Sequence, residues 1–118
     1  MDRVDPLHLD GRTFDMASST ASRVDPDRPT RFRYRESEGV VSGDYTGDTV
    51  TVGRFVGTRV GDRLEVAFVH ALVAGGAVVS GTAVSRIEAG PDGLRLVEEF
   101  ELDGVARTSV CTEVTPEG

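Results

Sequence analysis

The chain has 118 residues, room for one small domain, with 13 basic side chains (all Arg), 20 acidic ones and a net charge of −7. That surplus of negative charge disfavours nucleic acid and anionic membrane as partners, because both would repel it at long range. The single Cys111 excludes an intramolecular disulfide, MDRVDPLHLD is too acidic for a signal peptide, and no apolar run approaches the ~20 residues of a membrane helix, so a cytoplasmic protein is expected.

Eighteen Val and eleven Thr stand against seven Leu and one Ile, with 14 Gly. β-Branched side chains lose little when fixed on a pleated surface and glycine supplies turns, so the mix points to an all-β fold. Residues 1–9 read as a flexible tail, residues 10–115 as the domain and residues 116–118 as a second tail. The first strand falls in GRTFDMASST (Gly11 to Thr20), followed by a long loop rich in Asp, Arg and Pro from Ala21 to Pro29. Seven alternating runs follow: TRFRYRE, VVSGDY, TVTVGRFVGT, RLEVAFVHAL, AVVSGTAVSRIE, LRLVEEFEL and VARTSVCTEV. Between them lie the turn signals SEG, TGD, VGDR, AGG, GPDG and DG.

No run has a helical apolar period, and no gap holds the helix of a parallel crossover. Successive hairpins remove their exposed edges by closing, so the spacing predicts a single eight-stranded antiparallel up-and-down β-barrel. Internal glycines at Gly43, Gly53, Gly57 and Gly81 suit its strongly coiled strands. Such a barrel either fills with side chains or holds one small ligand.

Polar residues that interrupt apolar faces are the candidate site. One face of the fifth predicted strand reads Leu64, Val66, Phe68, His70, Leu72, and one face of the seventh reads Leu94, Leu96, Glu98, Phe100, Leu102. In the fourth predicted strand Val50, Val52, Arg54 and Val56 place a guanidinium in a valine row, although a shift of one residue would turn Thr51, Gly53, Phe55 and Gly57 inward instead. In TRFRYR, alternation sends Arg31, Arg33 and Arg35 outward and Phe32 and Tyr34 inward, which makes Tyr34 and, on the next strand, Tyr45 candidate pocket hydroxyls. An acid, a base and a cation amid apolar walls suit a small-molecule pocket. The competing structural reading has Glu98 and Arg54 as an ion pair between strands and His70 hydrogen-bonded at a strand end. With two histidines and one cysteine a zinc site is not expected, and no phosphate-binding or nucleophile-elbow motif occurs, so neither metal nor cofactor is expected.

The order LDGRTF (Leu9 to Phe14), GDYTGDTVTVGRFVG (Gly43 to Gly57), DRLEVAFVH (Asp62 to His70), a central Gly81, DGLRLVEEF (Asp92 to Phe100) and a closing SVCTEV resembles a family of small, mostly uncharacterised bacterial β-barrel proteins. Members often carry an N-acetylglutamate synthase label. The resemblance implies a lipocalin-like or avidin-like barrel, and matches Glu98 and Phe100 to the family's acid and aromatic on the seventh strand and Tyr45 to its tyrosine before the turn. Relatives tend to carry tryptophan near that strand and this chain has none, which removes indole stacking. The resemblance transfers no catalytic residue, and the chain has neither the size nor the α/β pattern for an acetyl-coenzyme A site.

The expected function is binding of a partly apolar metabolite inside the barrel, with Glu98, His70, Tyr34 and Tyr45 as polar contacts and Arg54, Phe68 and Phe100 on the wall. An alternative is a cofactor-independent isomerase or cyclase of secondary metabolism, with Glu98 and His70 as its acid and base. Another is a homodimer associating through the apolar stretch Val69 to Val84.

Overall fold

Strict alternation makes each strand one-sided, and the chain buries those sides by rolling the strands into a cylinder. The computed structural model describes residues 7–19, 27–47, 50–91, 93–102 and 104–114. Its elements are β1 (Thr13–Ser19), β2 (Arg31–Ser37), β3 (Val40–Gly47), β4 (Val50–Val60), β5 (Arg63–Leu72), β6 (Val78–Gly90), β7 (Gly93–Leu102) and β8 (Val105–Glu113). Each strand pairs antiparallel with the next, and β8 returns to β1 with Phe14 opposite Glu113 and Met16 opposite Cys111. The eight-stranded up-and-down barrel expected from the sequence is therefore present, closed along a β1–β8 seam. Most of the expected Ala21–Pro29 loop, parts of the TGD, GPDG and DG turns, the outer part of the N-terminal tail and all of the C-terminal tail lie outside the described residues.

Tight turns hold the hairpins together. Glu38 and Gly39 both take left-handed backbone angles, with φ of 52° and 79°, as a two-residue hairpin between β2 and β3 requires.

The two ends of the barrel differ. At the end formed by the β2–β3, β4–β5 and β6–β7 turns, Leu9, Phe14, Val41, Leu64 and Leu96 are almost fully buried and fill the interior. Leu9 had been expected in the flexible tail; it instead lies against this core, and its backbone N–H donates to Glu36 Oε1 at 3.0 Å. Arg59 Nε donates to the same oxygen at 2.8 Å. Burial opposes the charge on Glu36, but the Arg59 and Leu9 hydrogen bonds and the charges of Arg59 and His8 outweigh it and hold the carboxyl below its ordinary range. A hydrogen-bonded stopper thus closes this end.

Three glycines make room for rings on neighbouring strands. Gly43 faces Phe55, Gly53 faces Tyr45 and Gly81 faces Phe68 across the ladders, and each aromatic ring lies over the missing side chain. A Cβ at Gly43 would stand 2.0 Å from the Arg33 carbonyl oxygen and 2.5 Å from the Phe55 ring. Gly43→Ala is therefore expected to destabilise the barrel by about 2–3 kcal/mol, the upper part of the usual overpacking range. Thermal melts followed by circular dichroism check this, with exposed Thr58→Ala expected within ~0.5 kcal/mol of the parent. Equal melting of Gly43→Ala and the parent would contradict the packing argument.

Candidate functional site

Inward side chains on neighbouring strands differ sharply in size. From β2 to β5 they include Phe32, Tyr34, Tyr45, Phe55 and Phe68, whereas across the barrel β6 and β8 contribute buried Ala83, Ser85, Ser109 and Cys111. Large rings on one wall and small groups on the other leave a cavity of about 280 Å³ that reaches the end of the barrel marked by Ser19, Thr30, Val50 and Leu72.

The rings brace one another. Phe32 and Tyr45 stack with centroids 4.8 Å apart, Tyr34 lies 4.6 Å from Phe55, and Phe14 meets Tyr34 edge-on at 5.4 Å. Such contacts add rigidity beyond area burial, so the wall is formed before any ligand arrives.

Alternation along β7 turns Leu94 and Leu96 into the core and sends Glu98 and Phe100 onto the cavity wall. Glu98 is the carboxyl of this wall, and loss of hydration raises its pKa to about 7 against the opposing pull of a hydrogen bond from Ser85. Ser85 Oγ donates to Glu98 Oε2 at 3.5 Å, at the limit of a useful bond. Burial, and after it the charge of Glu98, pushes the Tyr34 and Tyr45 hydroxyls well up, so both stay neutral. The Cys111 thiol is raised in the same way, first by burial, then by Glu98 and Asp15.

His70 lies on the wall near the mouth. Its Nδ1 is 2.7 Å from Tyr45 Oη, and its ring stacks on Phe68 at 5.9 Å with planes 10° apart. Burial lowers its pKa, which favours the neutral imidazole; in the tautomer protonated at Nε2, the Tyr45 hydroxyl donates to Nδ1. Among the described residues no hydrogen bond joins His70 to Glu98.

Of the residues singled out from the sequence, the structure brings Glu98, His70, Tyr34, Tyr45, Phe68 and Phe100 to one cavity. Arg54 is a correction. Its side chain is exposed on the outside of the barrel, where Nη1 donates to the Gly53 carbonyl at 2.9 Å. The reason is a register shift between Val50 and Val52: Val50 points inward, the strand changes phase at the irregularity, and Gly53 and Phe55 take the inner positions. An Arg54–Glu98 ion pair is excluded by the same geometry. Ser85 and Phe55 were not among the expected site residues. Ser85 alternates with Ala83 and Ile87 on a buried face, a signal as readable as that of Glu98.

The buried carboxyl has a consequence for stability. Its folded pKa near 7 exceeds the ordinary value of 4.5, so the folded chain holds the proton more tightly and loses stability as pH rises between those values. Glu98→Gln is expected to remove that slope, gaining on the order of 3 kcal/mol relative to the parent at about pH 8 compared with about pH 4. His70 acts with the opposite sign, since a base with a lowered pKa restores stability as pH rises, but it is common to both proteins and cancels. Urea unfolding across that range measures the difference, and parallel curves would contradict a desolvated Glu98.

Among the described residues no three of His, Cys, Asp and Glu come together to hold a metal ion. Among the described residues no helix is long and apolar enough to cross a membrane. In comparisons with known proteins, no curated protein and no solved structure matches the chain. Residues 7–114 match the family described as avidin-like protein. A closed eight-stranded barrel with a match over nearly its whole length establishes that the chain belongs to the avidin-like protein family.

Proposed function

We propose that the protein binds a small, partly apolar molecule inside its barrel. The observation that carries this reading is the preformed aromatic cavity with a half-buried carboxyl on its wall. At about 280 Å³ the cavity sits at the small end of ligand pockets, which suits a metabolite of one or two rings. Membership of an avidin-like family fits a barrel that encloses its ligand. A single buried, free Cys111 suits a reducing cytoplasm.

Thermal-shift screening and native mass spectrometry with a panel of aromatic and alicyclic metabolites test the proposal. Binders are expected to raise the melting temperature of the parent. Val79→Trp, which places a large ring on the wall near the mouth, is expected to weaken them by about tenfold or more. No stabilising compound, or binding indifferent to Val79→Trp, would count against an interior site.

A second reading, a cofactor-independent isomerase or cyclase, is favoured by the Glu98 pKa near 7, since a group poised at the operating pH is the most effective general acid or base. Turnover lost in Glu98→Gln with binding retained would support it; unchanged turnover would refute it. A homodimer has its own observation: Val52, Val56, Val69 and Val78 are all exposed on adjoining strands of the outer surface. Light scattering that finds a monomer at high concentration would rule it out.

A further inference from the structure

We infer that the molecule held in this barrel carries a protonated amine seated on Glu98; the inference rests on the small-molecule reading above. An ionised carboxyl has about four acceptor sites. Among the described residues Glu98 uses one of them, for the long hydrogen bond from Ser85. The remainder face the cavity, where Glu98 is only partly exposed and an unmet acceptor is costly. A ligand that brings N–H donors removes that cost.

The surroundings favour a cation over a neutral donor. Tyr34 on β2, Tyr45 on β3, His70 on β5, Ser85 on β6 and Ser109 and Cys111 on β8 are the polar groups about Glu98, and their shifts keep the titratable ones uncharged near neutrality. β1 adds Met16 and Ser19, and β4 adds Phe55. Arg107 shares the inner side of β8 but pairs with Phe100, two residues nearer the mouth, while Glu98 pairs with Ser109. Among the described residues no cation pairs with the Glu98 carboxyl, whose pKa is moved only by burial and by Ser85, and the rings of Phe32, Tyr34, Tyr45 and Phe55 on the same cavity wall attract one. A carboxylate ligand would meet repulsion at the same spot. The net charge of −7 draws cations toward the barrel at long range.

The ammonium seat makes binding pH-dependent in a defined sense. Below about pH 7 the carboxyl must lose its proton to receive the cation, so amine affinity falls by up to about tenfold per pH unit. A neutral ligand that accepts a hydrogen bond from the protonated acid would show the reverse, weakening as pH rises.

Isothermal titration with 2-phenylethylamine and its neutral isostere 2-phenylethanol tests this. The amine is expected to bind at least about tenfold more tightly than the alcohol at about pH 8, with the preference shrinking toward about pH 6. Near that lower pH, binding is expected to release a proton, read as a heat that changes with the ionisation enthalpy of the buffer. Glu98→Gln is expected to erase the preference, bringing amine and alcohol to similar affinities; should that variant not fold, the pH dependence and proton release of the parent decide alone. Equal affinities, a preference that survives in folded Glu98→Gln, or no proton release would overturn the ammonium seat. Alcohol binding without amine preference would do so while leaving the small-molecule reading standing. If neither these probes nor any compound of the broader panel binds, both fall.

Discussion

Closure of the sheet is the constraint on which the rest of this structure depends. Once β8 pairs with β1, the circumference is set and the inward side chains must share a fixed volume. At the stoppered end Leu9, Phe14, Leu64 and Leu96 fill that volume. Toward the other end the rings on β2 to β5 and Phe100 on β7 face smaller groups such as Ser19 and Ser109 at the seam, and the sum falls short. The cavity is the difference, and the seam that creates it is tied by a side-chain contact as well as by the ladder: Ser109 Oγ donates to Ser19 Oγ at 2.9 Å.

Charge is sorted by the same wall. Arg31 with Asp15, Arg33 with Asp44, and Arg86 and Arg95 with Glu88 pair in water on the outer surface, where ion pairs contribute little to stability. Glu36 and Glu98 both lie inside and are treated in opposite ways. Glu36 is held ionised by Arg59 and the Leu9 amide and serves the stopper, whereas Glu98 has only Ser85 and is pushed toward neutrality. The first is satisfied by the protein; the second is left to chemistry that the protein does not supply. That contrast is why Glu98, and not Glu36, marks the site.

Much of this was legible in the residues. RFRYRE, LEVAFVH and LRLVEEF pair without a register shift, so the inward positions of Tyr34, His70 and Glu98 follow from counting. The same counting fails on β4, because a bulge is a change of phase that alternation cannot announce, and Arg54 was assigned to the wrong face for that reason. Leu9 was missed because a lone apolar residue between His8 and Asp10 has no period, and its burial depends on Glu36, which is 27 residues away. Ser85 sits on a readable face but is small enough to pass for packing. The cavity itself was beyond local reading, since its volume comes from pairing bulky residues on β2–β5 with small ones on β6 and β8 across the closed barrel.

The central claim is that Glu98 is an unmet carboxyl in a preformed apolar cavity, and its side-chain carbon reports this directly. Selective ¹³C labelling of glutamate, with Glu98→Gln to assign the signal, gives the titration of this one group by NMR in the ligand-free protein. A midpoint at about 7 is expected. A midpoint in the ordinary carboxylate range near 4.5 would mean that Glu98 is hydrated and would contradict it.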